Sequence, residues 1–182
     1  MRQRAAMSPA DLQRLHDAVR DVPDFPKPGI LFKDITPILS DGALLRIAVD
    51  GFADAAVAAG AEKIVGIDAR GFVFGAAAAY RLGLGFVPVR KKGKLPYRCN
   101  SAAYSLEYGE AVVEMHVDAV GRGEKIAVID DLLATGGTAG AAVKLIREAG
   151  AEVVATVFLI ELSFLNGRKA LGGTPVQSLM SF

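Results

Sequence analysis

The chain has 182 residues, of which 52% are hydrophobic and 23% are charged, and its formal net charge at pH 7 is +1. This length fits one domain, residues 1–182, with a sizeable core, and the composition is ordinary for a soluble enzyme. The near-zero net charge argues against a protein that binds nucleic acid or an anionic membrane through its overall charge.

Three further features bear on where the protein works. The single cysteine, Cys99, excludes an internal disulfide and fits a reducing compartment. The basic N-terminal residues are followed by no apolar run that would make a secretory signal. The most apolar window, residues 71–80, is too short to span a bilayer. We therefore expect a cytoplasmic protein with no membrane partner.

The first predicted helix begins with Ser8 as cap, Pro9 at the first helical position and Asp11 in the first turn. Residues 22–37 follow and contain four prolines, Pro23, Pro26, Pro28 and Pro37. Proline disfavours a helix, so this segment is predicted to be an ordered, extended loop. Because the segment is also apolar, it either grips a flat ligand or forms an arm across the core or a dimer surface.

The chain then alternates between helical and strand patterns. Residues 41–60 predict a helix, 64–67 a buried strand and 72–82 a second helix. Arg70 lies in the turn after the strand, at the sheet edge where open α/β folds bind ligands. Its guanidinium suits a pyrophosphate, and a surface salt bridge is the alternative.

Residues 85–89 predict a third strand, in which Pro88 indicates an irregularity or an edge. Five cations follow among residues 90–98: Arg90, Lys91, Lys92, Lys94 and Arg98. Such a cluster suits a nucleic-acid patch or a pyrophosphate site, and the near-zero net charge favours the second. Residues 100–117 then predict a β-hairpin arm, and Glu107 by itself would be an exposed carboxylate of that arm.

The most informative stretch is residues 126–150. A buried strand, 126–129, leads directly into Asp130 and Asp131, then into a loop of glycines and hydroxyls, and from Ala139 into a helix that Gly150 ends. A loop at a helix N-terminus is an anion site, and acids beside it suit the hydroxyls of a sugar. An ordinary strand-to-helix turn with a polar tip is the alternative.

The C-terminal part completes the alternation. Residues 152–160 predict a buried strand, 161–171 an irregular helix or loop, and 175–179 a final edge strand. Strands alternating with helices predict an α/β fold, a mostly parallel sheet with helices on both faces. The turns that hold Arg70, Arg90 and the acid pair should then meet at one edge.

Three motifs carry a resemblance to a known family, which covers the chain from about Val22 onward. The acid pair and the Thr-Gly-Gly-Thr loop of residues 135–138 resemble the phosphoribosyl pyrophosphate (PRPP) motif of type I phosphoribosyltransferases. The proline-rich segment resembles the hood of adenine phosphoribosyltransferases, and Ser-Leu-Glu-Tyr-Gly at 105–109 resembles their flexible catalytic loop. The resemblance implies the type I phosphoribosyltransferase fold, with a hood at about 22–37 and a flexible β-hairpin loop at about 95–116.

The resemblance also implies roles for individual residues. Leu31 and Lys33 fall on positions that contact adenine, where many members carry Val and Arg, and Lys33 has no planar guanidinium. Glu107 and Tyr108 match the catalytic loop, in which Glu107 would manage a proton of the purine. In that family the turn that holds Arg70 often contains a cis peptide that is not X-Pro. The implied PRPP- and AMP-binding residues are Arg70, Arg90, Lys91, Lys94, Asp130, Asp131, Ala134, Thr135, Gly136, Gly137 and Thr138.

The implied reaction is that of an adenine phosphoribosyltransferase in purine salvage. Adenine and PRPP would give AMP and pyrophosphate, with Mg2+ held by PRPP and water and with Asp130 as a further candidate ligand. The resemblance also implies a homodimer. Three alternatives stay open: a phosphoribosyltransferase for hypoxanthine, guanine, xanthine or orotate, a non-catalytic PRPP-sensing regulator, and a nucleic-acid-binding module.

Overall fold

The structure is a computed structural model that describes residues 7–105 and 110–182. The chain divides into two compact units, Met1–Gly51 and Phe52–Phe182. Among the described residues, no helix has both the length and the apolar surface needed to cross a bilayer. Helix α3 (Gly42–Ala58) contains the boundary between the two units.

The first unit begins with helix α1 (Pro9–Ala18), which starts as the sequence predicts. The Ser8 hydroxyl oxygen accepts a hydrogen bond of 3.1 Å from the Asp11 amide, and Pro9 lies in the first turn. Asp41 caps α3 in the same way, because its Oδ1 accepts from the amides of Ala43 and Leu44 at 2.8 and 3.0 Å. The bonds from Leu44 and Ala43 hold the pKa of Asp41 below its usual value.

The proline-rich segment is more regular than the sequence predicts. Strands β1 (Arg20–Pro23) and β2 (Leu31–Asp34) pair antiparallel, with Val22 opposite Phe32. The Phe25–Pro26 peptide between them is cis. The prediction that prolines exclude a helix through Pro37 was wrong, since a short helix α2 (Thr36–Ser40) begins there. Pro37 lies in its first turn, where a missing N–H costs no helical hydrogen bond.

The second unit is built on a sheet of seven strands, counted over the described residues, in the order β5-β6-β4-β3-β7-β8-β9. The five strands from β4 to β9 in this order are parallel, and β5 and β6 form an antiparallel hairpin beside β4. This confirms the predicted α/β class. The strand bounds are β3 Lys63–Ile67, β4 Gly85–Lys91, β5 Cys99–Ser105, β6 Glu110–His116, β7 Lys125–Leu133, β8 Glu152–Glu161 and β9 Val176–Ser181.

Helices α4 (Arg70–Leu82) and α5 (Gly137–Glu148) cover the sheet. The connection β3-α4-β4 and the connection β7-α5-β8 step in opposite directions from the centre of the sheet. Because such connections are right-handed, the two helices lie on opposite faces. Val65 and Val128 pack in one cluster with α5, whereas Phe72 of α4 meets the Phe86 ring edge-on at 5.7 Å.

Pro88, for which the sequence predicted an irregularity or an edge, lies in continuous parallel register opposite Gly66 of β3. Strand β4 is an interior strand, but β6 pairs with it at Arg90 and Lys91, beyond Pro88. A residue without an N–H is therefore tolerated at that point. The predicted edge strand at the C-terminus is confirmed as β9, and the irregular segment before it contains two 3-10 segments, Ser163–Leu165 and Gly167–Leu171.

Candidate active site

The turn after β3 opens the candidate site at the carboxyl edge of the sheet. The Asp68–Ala69 peptide in this turn is cis and is not an X-Pro bond. Arg70, the first residue of α4, donates from Nε to Oδ2 of Asp131. Asp131 is buried, whereas the Arg70 side chain remains 46% exposed. Arg70 therefore forms an ion pair with a buried acid of the site and still presents donors to solvent.

Strand β7 is longer than predicted and carries the acid pair within it. It extends through Leu133, and Asp130 lies opposite Phe158 of β8. Asp130 and Asp131 are consecutive, so their side chains leave opposite faces of the strand. The Asp131 amide nevertheless donates to Asp130 Oδ1 at 2.9 Å. Burial, reinforced by the neighbouring Asp131 carboxylate, raises the pKa of Asp130 well above its usual value.

A cavity of about 570 Å³ lies at this edge of the sheet. Its walls combine both signs of charge, since the acid pair lines the cavity together with Arg70 and the cations at the end of β4. A ligand with phosphates and hydroxyls fits such walls. The cavity is lined by Asp68, Ala69, Arg70, Arg90, Lys91, Lys94, Tyr104, Val113, Asp130, Asp131, Leu132 and Thr138.

The loop of residues 134–138, which we call the phosphate loop, surrounds a smaller cavity of about 80 Å³. The two cavities share Asp130, Leu132 and Thr138. Helix α5 begins at Gly137, two positions before the predicted start. The first amides of a helix have no partner within it and the helix dipole favours negative charge, so this cavity suits an anion. Gly136 has a φ of +83°, a left-handed conformation that favours glycine.

The cations at the end of β4 lie on a turn that is held in place by contacts with neighbouring residues. Arg90 and Lys91 end the strand, and we call residues 90–94 the basic turn. Arg90 Nε lies 3.3 Å from Asp68 Oδ2, and an Arg90 terminal nitrogen donates to the Lys94 carbonyl at 3.1 Å. The buried Glu114 of β6 accepts from the Gly93 amide at 2.9 Å and the Ser101 hydroxyl at 3.3 Å.

The fold brings together all the residues that the sequence predicts for PRPP, because each lines one or both of the two cavities. The predicted base-contacting residues, Leu31 and Lys33, belong to the other unit. Leu31 is half-exposed, and Lys33 Nζ lies 2.6 Å from Asp21 Oδ1 on the paired strand. Glu107 and Tyr108 lie outside the described residues.

Several lining residues were missed by the sequence reasoning. Asp68 follows the buried strand β3 directly, as Asp130 was expected to follow its strand, and this signal was available in the sequence. Tyr104 and Val113 carried no such signal. They reach the cavity because the β5–β6 hairpin pairs beside β4, which is a tertiary arrangement.

The side chains that line the two cavities suit a magnesium ion that is bound mainly by a ligand and only in part by the protein. Within residues 7–105 and 110–182, no cluster of three or more His, Cys, Asp or Glu is arranged to hold a metal. Mg2+ commonly keeps several waters and takes one or two carboxylates together with substrate phosphates. Asp130, which lines both cavities, offers such a carboxylate.

Comparison with known proteins decides the family. The family model of the phosphoribosyl transferase domain matches residues 46–170. An adenine phosphoribosyltransferase of Methylococcus capsulatus is 52% identical over 171 residues, which are 94% of this chain and 100% of that protein. The chain belongs to the adenine phosphoribosyltransferase family. Its members are pentosyltransferases, and this chain is an enzyme of that class.

Solved structures of the adenine phosphoribosyltransferase family have the same fold. The enzyme of Rhodothermus marinus is 48% identical, with a TM-score of 0.90 over 96% of this chain and 100% of that chain. The enzyme of Saccharomyces cerevisiae is 40% identical, with a TM-score of 0.90 over 93% of this chain and 98% of that chain. That yeast structure is a complex with an imino-altritol bisphosphate and adenine.

Proposed function

We propose that this chain transfers the 5-phosphoribosyl group of PRPP to adenine, giving AMP and pyrophosphate in purine salvage. The observation that carries the proposal is one sheet edge with an anion-binding loop, an acid pair and a group of cations, in a chain of this family. In the same proposal the protein works as a cytoplasmic homodimer on small molecules, with no nucleic acid or membrane partner.

Each part of the site has a task in this reaction. The phosphate loop binds the 5-phosphate through its backbone amides and the hydroxyls of Thr135 and Thr138. Asp130 and Asp131 hold the ribose hydroxyls. Arg70 and the basic turn hold the pyrophosphate and neutralise the charge that grows on it as it departs from the anomeric carbon.

Magnesium is part of the proposal, and Asp130 is the candidate protein ligand for the ion. When bound, the ion neutralises phosphate charge and stabilises the departing pyrophosphate. The chain's own cations act on the same leaving group, so Arg70 and the ion share this work. Asp131 is held by Arg70 and orients that guanidinium toward the cavity.

Base selection and proton handling are assigned to other segments of the chain. Leu31 packs on the adenine ring and Lys33 belongs to the same hood. Because Asp21 holds the Lys33 ammonium at 2.6 Å, we assign Lys33 to the structure of the hood strand and not to a side-chain bond with the base. Glu107 manages the purine proton as the new bond forms, with Tyr108 beside it in the catalytic loop.

A panel of bases tests the proposed activity. The purified chain is given PRPP and Mg2+ with adenine, hypoxanthine, guanine, xanthine or orotate, and pyrophosphate release is followed. We expect turnover with adenine far above that with the other bases. Turnover with another base and none with adenine would mean a different substrate, and PRPP binding without turnover on any base would mean a sensor.

Glu107→Gln tests the proton-handling role. The amide keeps the size of the side chain but does not accept a proton, so kcat should fall by about 100-fold or more while the KM for PRPP stays close to the wild-type value. Steady-state kinetics with varied PRPP and varied adenine measure both quantities. Near-normal turnover would remove Glu107 from this role.

A further inference from the structure

The phosphate loop rests against a part of the chain to which no role has been given so far. This part is the 3-10 segment Gly167–Leu171, which we call the bracing segment. It follows β8 along the chain, and α5 packs against it. The Leu162 amide, between β8 and the bracing segment, donates to the Leu133 carbonyl just ahead of the phosphate loop at 2.9 Å.

The two backbones meet so closely that no side chain fits between them. A Cβ atom on Gly136 would overlap the Gly167 carbonyl oxygen and would lie 2.9 Å from Ala170 Cβ. A Cβ atom on Gly167 would in turn overlap the Ala134 carbonyl oxygen. The phosphate loop therefore packs directly against the backbone of the bracing segment, and neither can shift toward the other without a clash.

An ion pair holds the bracing segment in place. Arg168 donates from Nε and from a terminal nitrogen to the two carboxylate oxygens of Glu161, at 2.7 and 2.6 Å. The other terminal nitrogen donates to the Val176 carbonyl of β9 at 3.2 Å. The Ser178 hydroxyl donates to the same Glu161 carboxylate at 2.7 Å. The fork of donors on the Arg168 guanidinium thus ties the bracing segment to the end of β8 and to the start of β9.

Both partners of this pair are charged at neutral pH. The hydrogen bonds from Arg168, helped by Ser178, outweigh the effect of burial and hold the pKa of Glu161 below its usual value. The Glu161 carboxylate raises the pKa of Arg168. Glu161 is buried, so it needs its partners more than an exposed acid would.

We propose that Glu161 and Arg168 are positioning residues for the 5-phosphate site. They fix the bracing segment, the Gly167 carbonyl then fixes Gly136, and the amides of the phosphate loop are held where the 5-phosphate needs them. Neither residue belongs to the described lining of the two cavities, so they act on the ligand through the loop. This inference rests on the proposed function, in which the loop binds that phosphate.

Arg168→Lys and Glu161→Gln test the inference by separating two ligands. Lysine keeps the charge but loses the fork, and glutamine keeps the shape but loses the charge. In both variants we expect the affinity for ribose 5-phosphate, measured by titration calorimetry, to fall by about tenfold or more. The affinity for pyrophosphate should stay unchanged, because Arg70 and the basic turn bind it. The KM for PRPP should rise accordingly, with a smaller change in kcat.

Arg147→Lys is the matched control. Arg147 donates to the Gly172 carbonyl at 3.4 Å and to the Thr174 hydroxyl at 2.9 Å, just beyond the bracing segment. The lysine variant therefore loses a comparable pair of guanidinium hydrogen bonds but leaves the ion pair between Arg168 and Glu161 intact. We expect it to bind both ligands as the wild type does. Ser178→Ala is a milder change at the ion pair itself and should weaken ribose 5-phosphate binding by less than Arg168→Lys.

The outcomes separate the inference from the proposed function. Unchanged ribose 5-phosphate binding in the Arg168→Lys and Ser178→Ala variants would overturn the inference, as would an equal loss of pyrophosphate binding or an equal defect in Arg147→Lys. If Glu161→Gln fails to fold, the other two variants still decide the matter. A wild-type chain that turns over no base with PRPP would instead overturn the proposed function.

Discussion

The phosphate loop and the basic turn lie at the same sheet edge but present opposite kinds of binding surface. The phosphate loop offers backbone amides, and the Gly167 backbone holds it by direct contact. The basic turn offers long exposed side chains, Lys91 and Lys94, on a turn held through hydrogen bonds. A backbone surface selects shape, whereas flexible cations supply charge with little geometric demand. Steric changes should therefore weaken ligand binding at the phosphate loop, and added salt should weaken ligand binding at the basic turn.

The largest expected effect is that of Gly136→Ala. Alanine is strained at a φ of +83°, and its Cβ would overlap the Gly167 carbonyl oxygen. The loop would have to move, and the KM for PRPP should rise by about 100-fold or more. Steady-state kinetics at varied PRPP measure this change.

Gly123→Ala controls for backbone strain in the Gly136→Ala experiment. Gly123 has a similar φ of +75°, but a Cβ there would meet nothing within 4 Å. The change should lower stability by on the order of 1 kcal/mol, measured by thermal unfolding, and leave the KM for PRPP unchanged. An equal KM effect in both variants would mean that conformational strain, and not the contact with Gly167, limits the loop.

A moderate effect is expected at Glu114, which holds the backbone of the basic turn. Glu114→Ala leaves the Gly93 amide without its acceptor, so the turn loosens and the KM for PRPP should rise by about tenfold. Glu114→Gln keeps an oxygen that accepts from Gly93 and should stay within about twofold of the wild type. Equal losses in the two variants would show that the charge of Glu114 matters, and not its hydrogen bond.

A smaller effect is expected at the exposed lysines of the basic turn. Lys94 lines the larger cavity, and Lys94→Ala should raise the KM for PRPP by about threefold at low salt and by less at high salt. Lys92, which is exposed on the same turn but is not among the residues lining the larger cavity, is the matched comparison and should show a smaller change. A defect in Lys94→Ala that does not depend on salt would contradict the view that this turn supplies charge alone.

The smallest effect concerns acid stability. The native pKa of Glu161 lies below its unfolded value, so the unfolded state binds more protons in this pH range. The stabilisation of the fold by the ionised Glu161 carboxylate is therefore complete only above the unfolded pKa. It is lost as the pH falls through the native pKa. The difference in unfolding free energy between wild type and Glu161→Gln should therefore shrink between about pH 7 and about pH 3. Denaturant unfolding at several pH values measures it. A constant difference would mean that the ion pair contributes no pH-dependent stability.

Much of the site could be predicted from short stretches of sequence. The acid pair, the Thr-Gly-Gly-Thr loop and Arg70 each follow a strand pattern, and the rule that parallel strands end at one edge predicted that they would meet. The start of α2 at Thr36 was missed because proline at a first helical turn looks like a helix breaker in sequence. Tyr104 and Val113 were missed because hairpin pairing, and not local pattern, brings them to the cavity.

By itself the sequence determined the α/β class, and the resemblance of its motifs indicated the family and the residues proposed for the candidate site. These depend on the identity and local spacing of residues, which hydrophobic period and short motifs report directly. Tertiary structure alone decided that Gly167 would lie against Gly136, that Arg168 would pair with Glu161 and that Lys33 would pair with Asp21. Each of these contacts depends on how strands and turns pack against one another. The spacing of residues along the chain does not show which distant residues will come into contact.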